Sequence, residues 1–254
     1  MKNTSPKIIC EIGHNHNGSL AYAEEYVEDL ILIKPDAITF QFRELNRYNG
    51  ADYNLQLNNS FYAKNIQKIQ NNGIDVGIAI ADIRKILFFE ELNVKFYKVL
   101  SKDIENYDLI EQLILTKKIV YVSTGMSDYD QIQRFVDFIG PSKNKFRLIH
   151  TQLTYEIEEI NLKAINILKD KFGLPVAFGS HSNNSNIIYA STVLEPHAIF
   201  FYVKGKRIKK HLDEEHAINL KDCVSLIKNI QDINIALGSG IKRMMINRIK
   251  VNEK

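Results

Sequence analysis

Eight short apolar runs alternate along the chain with eight longer segments of helical period, and that alternation limits the fold more than any other feature. The runs are Ile8–Ile12, Ala37–Phe42, Asp75–Ile80, Phe96–Val99, Ile119–Val122, Phe146–His150, Pro175–Gly179 and Ala198–Tyr202. Short, nearly continuous apolar runs read as strands buried on both faces of a parallel sheet. Between them the spacing predicts helices over Leu20–Ile33, Phe61–Asn71, Ile83–Leu92, Tyr107–Thr116, Tyr129–Phe138, Leu162–Lys171, Ser185–Leu194 and Leu220–Ile230. Asn71-Asn72-Gly73 and Phe172-Gly173 read as helix stops, and Ser127-Asp128 as an N-cap pair. Strict strand–helix alternation argues for a parallel sheet, and eight repeats argue for an α/β protein of the (β/α)8 TIM-barrel type. An open doubly wound sheet is the rival. Against it, Glu11 to Gly18 after the first strand is not G-x-G-x-x-G.

Composition closes off other classes. The chain has 254 residues, is 45% hydrophobic and 25% charged, and carries a net charge of +3, which excludes a disordered chain. No apolar run is long enough to span a bilayer, and the start carries no signal-peptide pattern, so no membrane association is expected. Cys10 and Cys223 are far apart and sit in apolar segments, so they form neither a disulfide framework nor a zinc motif, and a cytoplasmic location is the default. The weak positive charge is no nucleic-acid footprint. It is unevenly spread, however: Lys204, Lys206, Arg207, Lys209 and Lys210 crowd one loop, and Lys242, Arg243, Arg248, Lys250 and Lys254 crowd the tail.

Barrel chemistry sits at the C-terminal ends of the strands. Those ends carry Glu11, His14 and His16; Thr39, Gln41 and Arg43; Asp82; Lys98 and Ser101; Ser123 and Thr124; His150, Gln152 and Tyr155; Ser180 and His181; Tyr202 and Lys204. Lys98 inside a buried strand is costly unless paired, and it reads either as a snorkelling lysine or as a cation aimed at phosphate or carboxylate. His181 is open between a turn histidine and a metal ligand or base. His14 and His16 could hold an anion or metal, and His150 is open between a ligand and a satisfied core histidine. The two cysteines read as structural. The long Asn- and Tyr-rich segment 43–60 reads as a functional loop after the second strand.

Several motifs then point the same way. Ile9-Cys10-Glu11-Ile12-Gly13-His14-Asn15-His16-Asn17-Gly18-Ser19-Leu20 resembles the opening motif of the sialic acid synthase (N-acetylneuraminate synthase) family. Ser123-Thr124-Gly125-Met126, Asn161 to Ile165, Phe172 to Val176 and Ala236 to Arg243 resemble its later blocks in the right order. The resemblance implies a barrel over residues 1–243 followed by a basic tail, 244–254, without the family's small antifreeze-like lid domain. It implies condensation of phosphoenolpyruvate with an N-acetylated aldose such as N-acetylmannosamine, giving a nonulosonic acid and phosphate, in a transferase-type synthase. It also implies a divalent metal, Mn²⁺ or Mg²⁺, acting as Lewis acid, and a homodimer or a partner synthase that covers the site.

Carried over by position, Glu11 matches the sugar-contacting glutamate and Gln41 the glutamine after the second strand. Lys98 and Ser101 match the phosphoenolpyruvate-binding pair. Ser123 and Thr124 match the fifth-strand motif, Tyr155 a tyrosine after the sixth strand, and His181 the first metal histidine. There are departures. Thr39 stands where the family has a second phosphate-binding lysine. Ala79 replaces a threonine, Leu153 an asparagine, Phe200 a glutamate, and Tyr202 the second metal histidine, a poor ligand for these ions at neutral pH. Two compensations are expected: Lys204, Lys206 or Arg207 replacing the missing lysine, and His216 serving in proton transfer or as a rescuing ligand. The alternative is a degenerate barrel that binds a sugar or a partner protein without turnover.

Overall fold

Strand β1 (Lys7–Gly13) pairs in parallel with β2 (Ala37–Phe42) on one side and β8 (Ala198–Lys204) on the other, which closes the sheet into a barrel. Around the ring follow β3 (Asp75–Ile80), β4 (Phe96–Val99), β5 (Ile119–Ser123), β6 (Phe146–His150) and β7 (Val176–Ser180), each hydrogen-bonded to its sequence neighbours. The computed structural model describes residues 5–50, 52–206 and 210–242, so Arg207 and the tail 244–254 lie outside the described residues. The helices are α1 (Leu20–Ile33), α2 (Leu45–Tyr48), α3 (Asn59–Asn71), α4 (Ile86–Glu91), α5 (Tyr107–Leu115), α6 (Tyr129–Ile139), α7 (Ala164–Phe172), α8 (Ser185–Thr192) and α9 (Leu220–Leu237). The (β/α)8 expectation is met.

The strand interior is layered. Ile9, Phe96, Tyr121, Ile149, Ala177 and Phe200 form a cluster separate from the larger core beneath the helices. Phe96 of β4 meets Phe200 of β8 at 6.4 Å between ring centroids, so these side chains fill the barrel lumen from opposite walls. Gly77 makes room for them: a Cβ there would lie 2.2 Å from the Phe96 ring. Side chains alternate along a strand. One pleat further on, the same inward positions become Glu11, Lys98, Ser123, Thr151 and Tyr202, a polar layer resting on the apolar one.

Local differences from the sequence reading have local causes. The predicted helix over Ile83–Leu92 begins as a 3₁₀ turn, Ile83–Lys85, because Asp82 caps that turn by accepting the Arg84 amide. The last helix runs on from Ile230 to Leu237 and stops at Gly238 with φ of 62°. Segment 43–60 is not one open loop: it holds α2 and a 3₁₀ turn at Tyr53–Leu55. A two-residue strand, β9 (Ile218–Asn219), pairs with the end of β8. Gly173 ends α7 in the left-handed conformation, and Asp128 caps α6 with a full capping box. Among the described residues no helix is long and apolar enough to cross a membrane.

Candidate active site

The polar layer converges at the C-terminal mouth of the barrel. Lys98 donates to both oxygens of Glu11, at 2.8 and 2.5 Å, and both side chains are nearly fully buried. Thr39 Oγ1 lies 3.4 Å from Glu11 Oε2. The Lys98 ammonium also lies 5.4 Å from the Phe200 ring and 5.6 Å from the Tyr202 ring. An ammonium and a carboxylate can occupy so dry a place because each neutralises the other. A shift in the β1–β2 register between Glu11 and Gly13 marks a bulge at the point where β1 enters the site.

Above this pair opens a cavity of about 190 Å³, lined by Gln41, Arg43, Lys98, Ser101, Lys102, Ser123, Leu153, His181 and Tyr202, among others. Ser101 and Ser123 place their hydroxyl oxygens 2.8 Å apart on its wall. A larger cavity of about 460 Å³ lies outside the barrel between α1 and α9. It contains none of the strand-end residues, so the smaller cavity is the functional candidate.

Next to this cavity is an aromatic stack. The His181 and His216 rings face each other at 4.5 Å, Tyr155 continues the stack beyond His216, and Tyr202 meets both histidines edge-on. Burial holds both imidazoles neutral, His181 pushed down to about 3 and His216 to about 4, with the neighbouring Lys98 charge adding to both. Both ring nitrogens of His216 are buried without a hydrogen-bond partner, and the Asp213 carboxylate oxygen Oδ1 lies 3.5 Å from Nε2. Burial, with Glu11 nearby, pushes the Asp213 carboxyl up to about 7.

The metal expectation can be tested on this donor set. Face-to-face stacking does not aim the two imidazoles at a common point. Tyr202 offers a buried phenol that burial keeps protonated far above neutral pH. No group of three His, Cys, Asp or Glu side chains among the described residues can hold a metal ion. The residues present do not fit the divalent ion implied by the resemblance.

Other expected residues have different roles. Lys204 stands apart from the cavity, donating to the carboxylate of Glu214 at 2.5 Å and to its carbonyl at 2.8 Å. Lys206 lines the outer cavity instead. The proposed replacement of the missing lysine by Lys204 or Lys206 is therefore corrected; a nearby carboxylate captures the first, and strand direction carries the second away. Arg207 lies outside the described residues. Thr124 donates to the Ile149 carbonyl and braces β5 against β6 rather than facing the cavity. His150 is a satisfied core histidine, its Nε2 3.0 Å from the Ile160 carbonyl. His14 and His16 are buried loop clamps: His14 contacts the Tyr48 hydroxyl and His16 accepts the Gly18 amide. Cys10 and Cys223 are free and buried.

Sequence reasoning missed Asp213 and gave Arg43 no role. Asp213 enters because its Oδ2 lies 2.7 Å from where a Gly13 Cβ would be, and Asn15 Oδ1 accepts its amide. Only Gly13 in the opening motif hinted at such a close approach.

Residues 32–242 match the model of the NeuB family. The chain belongs to the NeuB family. Its curated relatives include the N,N'-diacetyllegionaminic acid synthase of Campylobacter jejuni, 26% identical over 93% of this chain and 78% of the relative. The human N-acetylneuraminate-9-phosphate synthase is 24% identical over 97% of this chain and 75% of its own length. The crystal structure of an N-acetylneuraminic acid synthetase from Leptospira borgpetersenii, in complex with citrate, superposes with a TM-score of 0.88 at 24% identity, covering 96% of this chain and 88% of that one. That likeness establishes the shared barrel. The family assignment agrees with the resemblance carried by the opening motif.

Proposed function

We propose that this chain condenses phosphoenolpyruvate with an N-acetylated aldose to give a nonulosonic acid and inorganic phosphate. The observation that carries the reading is the cavity at the strand ends, where Lys98 and the paired Ser101 and Ser123 hydroxyls offer donors to an anion in a NeuB-family barrel. The lysine donates a charged hydrogen bond and the serines neutral ones. Glu11, fixed beneath by Lys98, accepts a sugar hydroxyl. Gln41 orients the same sugar, and Tyr155 borders it. In the reaction, C3 of phosphoenolpyruvate forms a bond to the aldehyde carbon, water adds at C2, and phosphate leaves. His216, neutral and with both nitrogens unbonded, has one N–H to give a proton to the new alkoxide and one lone pair to take the proton lost by the water that adds at C2. No step is assigned to a metal, because the donor set does not suit one.

A second reading has one observation in its favour. Phe200 and Tyr202 occupy positions the resemblance assigns to polar metal-site groups, which suits a barrel that binds sugar or a partner synthase without turnover. Phosphate release from phosphoenolpyruvate, measured against a panel of N-acetylated hexoses and their 6-phosphates with and without Mn²⁺, separates the two. Release with at least one sugar is expected, and none under any condition rejects the synthase reading.

A further inference from the structure

Phosphoenolpyruvate carries a carboxylate and a phosphate, so its cavity needs more cationic capacity than one lysine. Three cations line the cavity: Arg43, Lys98 and Lys102. Two of them are already engaged. Lys98 is neutralised by Glu11 at 2.5 and 2.8 Å. Lys102 is held between Glu44 at 2.5 Å and Asp103 at 2.8 Å.

Arg43 differs. Its Nε donates to Glu44 at 3.2 Å, and among the described residues no bond is made by its two terminal nitrogens. Its backbone is fixed, because the Tyr48 hydroxyl accepts its amide at 3.0 Å. Its side chain is 15% exposed, so the guanidinium sits at the rim with its terminal donors free. Arg43 lies one residue past the end of β2, two positions after Gln41, and lines the cavity that Thr39, bound to Glu11, cannot serve.

We propose that Arg43 binds the phosphate group of phosphoenolpyruvate, its terminal donors forking onto two phosphate oxygens. A planar guanidinium matches two oxygens of a phosphate, which an ammonium does not. The rim position suits the group that must depart as free phosphate. Lys98, deeper beside Glu11, then faces the carboxylate end near the carbon that forms the new bond. This assignment rests on the synthase reading above.

Calorimetric titration of the full chain with phosphoenolpyruvate, inorganic phosphate and pyruvate tests both. For Arg43→Ala and Arg43→Gln, phosphoenolpyruvate binding should weaken by about 30-fold or more, and phosphate binding should weaken in parallel. Pyruvate binding should stay within about threefold of the wild type, Arg43→Lys should recover only part of the loss, and Lys102→Ala should cost less than Arg43→Ala. Unchanged melting of Arg43→Gln controls for folding. Wild-type binding that survives in both Arg43 variants overturns the assignment and leaves the synthase reading standing. Equal losses for pyruvate and phosphoenolpyruvate overturn it as well. Failure of the wild type to bind phosphoenolpyruvate removes the synthase reading and this assignment with it.

Discussion

Removing one member of the Glu11–Lys98 pair should be far more damaging than removing both. The side chains are 4% and 6% exposed, so neither charge has water to fall back on. Lys98→Met leaves a buried carboxylate with only the weak Thr39 contact at 3.4 Å. Glu11→Gln leaves a buried ammonium against the Phe200 and Tyr202 rings. Breaking a buried pair from one side costs about 3–5 kcal/mol, whereas replacing both partners with groups of similar volume is close to neutral. At about 2–4 °C per kcal/mol for a domain of this size, each single variant should melt roughly 6–20 °C below the wild type. The double variant Glu11→Gln/Lys98→Met should recover most of that loss, giving a coupling energy above about 2 kcal/mol. Urea unfolding followed by fluorescence and circular dichroism measures all four proteins. A coupling below about 0.5 kcal/mol, or single variants as stable as the wild type, would refute the idea that the pair is held by mutual neutralisation in a dry site. If the proposed synthase activity holds, all three variants should also lose phosphate release, whatever their effect on stability.

Other expectations follow from particular contacts. Gly77→Ala should destabilise by about 1–3 kcal/mol by pressing on Phe96, and adding Phe96→Leu should recover part of it; an unaffected urea midpoint in Gly77→Ala would contradict the filled lumen. Asp128→Ala removes the α6 capping box and should cost about 1 kcal/mol in the same assay. His197 is half-buried, and desolvation together with the neighbouring Arg147 holds it down near 4, against 6.5 for a free imidazole. Between those values the unfolded chain takes up the proton first, so stability present above pH 6.5 is lost as pH falls toward 4. His197→Gln should flatten that acid limb of unfolding midpoint against pH, and an unaltered slope would show that His197 is not held neutral by its surroundings. Extended dialysis against a chelator should leave the melting temperature unchanged, and a fall of several degrees would reveal a resident metal that the donor set does not predict.

The barrel was legible because its signals are local. Each strand is a run of four to seven residues that must hide both faces, and each helix carries its own period and, in several cases, its own stop or cap. The polar strand ends were legible too, since a barrel forms its site where its strands finish. Glu11, Lys98, Ser101, Ser123 and His181 therefore gather where the sequence reading put them, whereas Thr124 and His150 turn away into hydrogen bonds that only neighbouring strands supply.

The sequence alone determined the architecture, the family and the list of candidate side chains, because periodicity and motif spacing are properties of contiguous residues. Tertiary structure decided which charges are spent and which are free. Lys98 finds Glu11 eighty-seven positions away, and Lys204 is taken by Glu214 on the following loop, while Arg43 keeps its terminal donors. It also decided that His181 and His216 stack rather than converge, and that Asp213 enters beside Gly13. Electrostatic pairing depends on distances of a few ångströms between segments far apart in the chain, and those distances exist only once the barrel has closed.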